Sequence, residues 1–304
     1  MFPNAETINL KPVSIGLLKR ILWDIKLPAL LKKVNADLFI SFHKVCSPVV
    51  PIAQFMFVSD LKKIRKTHLK RACLLFVPNK LTKDKLVEKH SVPIEKIKVV
   101  YPSANKMFGT VNDEEKAITK YKYSNGKEFF LSNGIFPVKE DFITLLKAFS
   151  HFKKRQQSSF KLLLTLPRDP FFEKSLTAYK YRNDVEFIDP RNVRELAVIT
   201  ASAYAAVLPF NNNESLITAL NAMRSGTPVI AVRGSIINEV AAEAALYTDS
   251  DGIKDIGEKM IQVYTDENDR SKLIEIGKQV AAANTVEKSA EAFWQAISGE
   301  LKLI

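Results

Sequence analysis

The sequence predicts an α/β protein of two domains, each organised around a parallel sheet, the second of them doubly wound. Three observations carry this expectation. Short β-prone runs alternate with stretches of helical periodicity along almost the whole chain, the rhythm of strands joined by crossover helices. The rhythm breaks once, over the polar residues 112–126, where Asp113, Glu114, Glu115, Ser124 and Asn125 offer no periodic apolar face. With 304 residues, 46% hydrophobic and 26% charged, the chain is long enough for two cores.

In order, residues 14–33 read as an amphipathic helix with Leu18, Ile21, Leu22 and Ile25 on one face and a kink at Pro28. Strands are expected at 36–42, 52–58, 72–78 and 97–102, with a helix at 82–90 before the last. The polar break sets the domain boundary, giving residues 1–125 and 126–304. Beyond it, strand 129–132 leads through Gly134 into a helix whose Phe142, Leu145, Leu146, Phe149 and Phe152 form a stripe. The unit repeats: strand 161–166 with helix 171–179, strand 185–188 with helix 194–201, strand 205–210 with helix 214–224. Strand 228–232 follows, then helices to the end. Right-handed crossovers make such a series a doubly wound sheet.

Composition excludes other classes. The apolar runs are too short to span a bilayer, and the first twenty residues lack a signal-peptide core, so a cytoplasmic protein is expected. Cys46 and Cys73 show no metal-ligand spacing and read as buried thiols, with neither disulfide nor metal expected. Charge is uneven: residues 1–125 hold 23 Lys and Arg against 10 Asp and Glu, and the remainder 22 against 23. A basic surface attracts anionic lipid, phosphorylated substrates or nucleic acid alike. The densest basic run, residues 62–71, reads as a solvated helix or as a contact for an anionic membrane surface or a pyrophosphate-linked acceptor. It carries no nucleic-acid motif, so nucleic acid is not an expected partner. His43, His68, His90 and His151 are scattered and form no triad by spacing.

Two strand-to-helix turns are candidate anion sites, because free N–H groups and the helix dipole point to the carboxyl ends of parallel strands. In SNGIFPVKED (132–141), Gly134 permits close approach of a ligand and Lys139 offers a cation. In NNNES (211–215), Asn213, Glu214, Ser215 and the following Leu216 open a helix that ends at Ser225-Gly226.

Taken in order, LSNGIFPVKEDFITLLKAFSHFKKRQ (131–156), RELAVITASAYAAVLPF (194–210), ESLITALNAMRSGTPVIAV (214–232), NEVAAEAALYTD (238–249) and TVEKSAEAFWQAI (285–297) resemble the donor domain of the group 1, or family 4, glycosyltransferases. Upstream, residues 21–41 and 76–108 resemble the later part of that family's acceptor domain. The resemblance implies a GT-B-like fold of two Rossmann-like doubly wound domains, the N-terminal one incomplete, since the family's first strand and glycine-rich loop would precede residue 1. It implies a cytoplasmic enzyme, peripheral at the inner face of the membrane, that transfers a sugar with retention from a nucleotide diphosphate sugar to a polysaccharide or lipid-linked acceptor. No bound metal and no further cofactor are implied, and a homo-oligomer is a further expectation. The helix at 285–297 should cross back to the first domain, covering Ala290, Phe293, Trp294 and Ile297.

Several family positions are altered. The basic pair after the first donor-domain strand falls on Ile135 and Glu140, with Lys139 adjacent. The Glu-x7-Glu pair falls on Asn213 and Asn221, with Glu214 next to the first and Asn221 still able to bond a ribose hydroxyl. The His-Asp turn on the acceptor side corresponds to Ser59-Asp60. These changes favour a second reading, a catalytically silent relative that binds a sugar nucleotide or a partner protein.

Overall fold

The computed structural model describes residues 16–302 apart from 48, 63, 135, 137, 138, 166–168, 211, 250 and 251, with side chains from residue 25 onward other than 213. Ile135, and the side chains of Asn213, Leu18, Ile21 and Leu22, therefore lie outside the described residues. The chain forms two compact units. The first takes the described residues of Met1–Val77 together with Thr82–Val99 and Gln295–Ile304; the second takes Pro78–Leu81 and Val100–Trp294.

The first unit holds a four-stranded parallel sheet in chain order, β1 (Leu38–Ser41), β2 (Ala53–Phe57), β3 (Leu74–Val77) and β4 (Ile97–Val99). Its helices are α1 (Gly16–Lys33), α2 (Lys66–Arg71) and α3 (Lys80–His90). β3 is an unbroken apolar run buried at every residue, as a strand covered on both faces must be. β1, at the sheet edge, is only half-buried over Leu38, Phe39 and Ile40. Met56, Val58, Leu69, Leu75, Leu86 and Ile97 make the core. α1 continues through Pro28 and buries Leu27 and Leu31, whereas Ile25, assigned above to the apolar face, is 61% exposed.

The loop between β1 and β2 is held from beneath by polar side chains. Gln54, fully buried, accepts from the Ser47 N–H at 2.7 Å and donates to the Ser47 and Val50 carbonyls at 2.9 and 3.2 Å. Arg71 donates to the Val50 and Ile52 carbonyls at 2.5 and 2.9 Å. His68 is buried with Nδ1 2.7 Å from the Cys46 carbonyl oxygen, a packing role. Burial pushes the Cys46 thiol up to about 12, so this cysteine stays an inert thiol at neutral pH.

The second unit holds a six-stranded, all-parallel sheet ordered β10 (Ala245–Thr248), β9 (Val229–Val232), β8 (Ala205–Leu208), β5 (Phe129–Asn133), β6 (Lys161–Thr165) and β7 (Val185–Phe187). Its helices are α4 (Asp113–Ser124), α5 (Lys139–Gln156), α6 (Pro170–Thr177), α7 (Val193–Ser202), α8 (Asn213–Arg224), α9 (Ile236–Ala241), α10 (Ile253–Thr265) and α11 (Glu267–Ala283). α12 (Val286–Leu301) follows, counted with this unit as far as Trp294. The expected α5 stripe is buried at each of its five positions. At its far end Lys153, 6% exposed, is satisfied by the carbonyls of Ser158 and Phe160 at 2.5 and 3.1 Å and by Asp184 at 2.9 Å.

Two elements differ from the sequence expectation. The polar stretch before residue 126 is the helix α4, capped by Asn112, whose side chain accepts from the Glu115 N–H at 2.8 Å. It packs on α7 through a clamp in which Glu195 accepts from Lys122 and Tyr123 at 2.6 and 2.5 Å. Residues 245–248, expected within a helical tail, are instead the sixth strand. In α12, Ile297 is fully buried, but Trp294 is 56% exposed and Ala290 is exposed.

Candidate functional site

In the second unit successive strands step outward from β5 to β6 and β7, after which the chain returns to β8 and steps the opposite way to β9 and β10. The reversal leaves a crevice outside the carboxyl ends of β5 and β8, the place where open α/β sheets bind ligands. Both candidate turns open there: Gly134 follows β5, and α8 begins after β8.

Gly134 has φ +135°, a conformation that side-chain-bearing residues rarely take, and a Cβ on it would meet the Phe210 ring at 3.1 and 3.3 Å. The Phe210 ring in turn stands 5.1 Å from Phe136. One wall of the crevice is therefore aromatic and close-packed. Asn133, last in β5, accepts a hydrogen bond from the Thr165 hydroxyl across the sheet.

Lys139 is exposed at the first position of α5, with Nζ 4.5 Å above the Phe171 ring. A cation is unfavourable to a helix N-terminus by itself, and an anion bound beside it reverses the sign. Glu140 is exposed in the same turn.

At α8 the cap is internal. The side-chain oxygen of Asn212 accepts from the N–H groups of Glu214 and Ser215 at 3.0 and 2.8 Å, and the Ser215 hydroxyl donates back to the Asn212 carbonyl at 2.6 Å. Leu216 is buried against Ala104, Leu220 and Ile236, and Glu214 is exposed. Asn221 is half-buried and accepts the Asn105 N–H at 2.8 Å, so its oxygen is committed while its amide protons remain a donor.

Sequence reasoning missed Asn212, Phe210 and Arg233. The pattern Asn-x-Glu-Ser at a helix start was a capping signal for the first. Phe210 lay in a quoted motif, but its approach to Gly134 joins residues far apart in the chain. Arg233 follows β9 at the same sheet edge and pairs with Asp249 at 2.8 Å.

In the first unit, Ser59 and Asp60 follow β2. Asp60 accepts from Lys44 Nζ at 2.8 Å and from the Lys62 N–H at 2.7 Å, and the exposed Ser59 hydroxyl is 3.5 Å from its other oxygen. Partial burial raises the carboxyl's pKa, but the hydrogen bonds from Lys44 and Lys62 outweigh it and hold Asp60 below its ordinary 3.8. A lowered folded-state value stabilises the protein above the unfolded value and is lost as pH falls through the folded one. Asp60→Asn is thus expected to lower the melting temperature at pH 7 and to make no difference well below pH 3.8. With Asp60 44% exposed the effect is that of a surface pair, under about 1 kcal/mol. Melting curves of both proteins across pH check it.

Residues 113–280, more than half of the chain, match the family described as Glycosyl transferases group 1. The chain belongs to the group 1 glycosyl transferases. This group 1 member is 26% identical over 193 residues to the O-antigen chain mannosyltransferase RfbU of Salmonella typhimurium, covering 62% of the chain and 50% of the relative. It thus spans about half the length of that curated protein. Its fold is similar to that of a glycosyltransferase from Rickettsia africae, with a TM-score of 0.81 and 13% identity over 97% of this chain and 85% of that one. It is also similar to Anabaena Alr3699/HepE in complex with UDP and glucose, with a TM-score of 0.77 and 12% identity over 94% and 84%. At these identities the likeness is one of fold, and the fold of this group 1 chain is GT-B-like, with two parallel sheets. Among its described residues no helix is long and apolar enough to cross a membrane, and no three His, Cys, Asp or Glu side chains are grouped to hold a metal ion.

Proposed function

We propose that the second unit binds a nucleoside diphosphate sugar at the switch point between β5 and β8. There the bond from the anomeric carbon to the β-phosphate breaks as a bond to a hydroxyl of a polysaccharide or lipid-linked acceptor forms, with retention of configuration and without a bound metal. The observation that carries this reading is Lys139 on the first turn of α5, the helix that follows β5 at the switch point, with Gly134 setting the turn between them against the Phe210 ring. The leaving diphosphate gathers negative charge, and a cation at a helix N-terminus is the group that offsets it. The Asn221 amide donor suits a ribose hydroxyl. That Anabaena HepE has been solved with UDP and with UDP-glucose supports a nucleotide sugar as the ligand class. The basic first part of the chain suits an anionic membrane surface or lipid-pyrophosphate acceptor at the inner face of the membrane, and the half-buried edge strand β1 suits a second copy of the chain.

A silent reading is favoured by a specific set of side chains. Glu140 stands at a basic position, the Asn221 oxygen is committed to Asn105, and Asn212 already accepts the first N–H groups of α8. Loss of one charge-stabilising donor commonly costs about 10²–10³ in rate. Binding should therefore outlast catalysis. Titration calorimetry with UDP, GDP and ADP sugars is expected to give binding that Lys139→Ala weakens about tenfold, the effect of one charge-assisted contact. On the silent reading, little sugar transfer or donor hydrolysis is expected from the purified chain. Robust turnover would overturn the silent reading; failure to bind any nucleotide sugar would overturn the transferase reading and leave only a relative that binds a partner protein.

A further inference from the structure

We propose that the row of phenyl rings at the carboxyl edge of the first sheet, ended by Phe42, is a stacking platform for a pyranose ring of a carbohydrate acceptor. The proposal rests on the glycosyltransferase reading for its substrate class and on separate observations for its place.

β1, β2 and β3 run parallel, with Ser41 opposite Met56 and Phe57 opposite Phe76, so that Phe42, Phe57 and Phe76 come side by side where the three strands end. The Phe42 and Phe57 rings are 5.1 Å apart and 17° from parallel, and Phe57 and Phe76 are 5.5 Å apart at 26°. Exposure rises along the row. Phe76 is fully buried, Phe57 half-buried and Phe42 63% exposed. An isolated surface phenylalanine turns freely, whereas a ring stacked on Phe57, itself backed by the buried Phe76, is held in one plane before a ligand arrives, which lowers the entropy lost on binding.

The chemistry beside the ring is that of a hydroxylated ligand. The face of a phenyl ring is electron-rich, and the C–H bonds on one face of a pyranose, polarised by the neighbouring oxygens, are its natural partners. Lys44, two residues beyond Phe42, bonds Asp60 and so ties the loop that carries the ring to the loop that carries Ser59 and Asp60. One Asp60 oxygen takes Lys44 and the Lys62 N–H; among the described residues the other accepts a long contact from Ser59, and a carboxylate oxygen has two lone pairs with which to accept from sugar hydroxyls. Gln54 and Arg71 fix the intervening loop, so ring and carboxylate hold their places. Paired with Lys44, Asp60 leaves this pair of loops without a net charge there to draw an anionic lipid surface, which suits a neutral glycan.

The test uses the full chain with maltohexaose and mannohexaose as probes, binding being read by ligand-observed NMR, alongside calorimetry with UDP. Phe42→Ala is expected to weaken oligosaccharide binding about tenfold, Phe42→Trp to keep or strengthen it, and both to leave UDP affinity and melting temperature as in the wild type. The proposal is overturned if neither oligosaccharide binds the wild type, or if Phe42→Ala binds them equally well. It is overturned too if Phe42→Ala loses only affinity for phosphatidylglycerol vesicles. Oligosaccharide binding without any UDP or UDP-sugar binding would instead count against the donor site and leave the platform standing.

Discussion

Phe142→Ala is expected to destabilise the second unit by about 3–5 kcal/mol, the usual effect of emptying a buried aromatic site. Phe142 is fully buried on α5 and touches rings from three other segments: Phe136 at 5.8 Å, Phe172 at 4.6 Å and Phe187 at 6.3 Å between centroids. These come from the turn after β5, from α6 and from β7, so no single neighbour can close the void. The melting transition should fall by about 6–20 °C, taking roughly 2–4 °C per kcal/mol for a domain of this size. Phe142→Leu, which keeps most of the volume, should lose under about 1.5 kcal/mol. The effect should also reach the crevice. Phe136 supports Phe210, and Phe210 walls the space beside Gly134, so nucleotide affinity should fall even at temperatures where the variant stays folded. An alanine variant that melts with the wild type would refute the packing account.

Gly134→Ala should be nearly as severe and more local. A residue with a side chain at φ +135° is strained by about 1–3 kcal/mol, and the added Cβ would press on Phe210 at 3.1 Å. The two causes separate in a double variant. Phe210→Ala by itself empties a buried site, so the comparison is the cost of Gly134→Ala in the wild-type and in the Phe210→Ala background: without the ring the clash is gone but the strain stays, and the cost should be smaller but not zero. Nucleotide affinity should fall about tenfold or more in both, because the backbone that approaches the ligand is displaced. Denaturant unfolding and calorimetry on the wild type, the two single variants and the double variant measure both effects. A Gly134→Ala substitution that costs nothing in the Phe210→Ala background would assign the whole loss to contact with the ring.

What the sequence disclosed follows from where its signals are local. The α5 stripe from Phe142 to Phe152 is periodic and wholly buried, and the apolar runs of β3, β6 and β8 are short, continuous and buried over nearly their full length. α4 escaped because the side chains it buries are Thr119 and Ser124, which leave no apolar stripe to read. β10 escaped because Ala-Leu-Tyr-Thr is too short to distinguish from the end of a helix. On α1 the periodicity pointed to Ile25, but tertiary packing chose Leu27 and Leu31. At the crevice the residue types were legible and their engagements were not. Asn212 taking the first α8 N–H groups is a local pairing that the pattern signalled, whereas Asn105 giving its N–H to the Asn221 oxygen joins residues 116 apart and appears only once the chain has folded back on itself.

The first unit includes Gln295–Ile304, where Ile297 is fully buried and the charge of Glu300 acts on Lys96. During translation this has a consequence of timing. β1 to β4 leave the ribosome before the second unit, yet the Gln295–Ile304 segment grouped with them emerges only after that unit has been made. At ~5–20 residues per second, the roughly 200 residues between Val99 and Gln295 take about 10–40 s to synthesise. Throughout that interval the first unit lacks the helical segment that buries Ile297, the period in which chaperone binding, or association with another nascent chain, competes with folding.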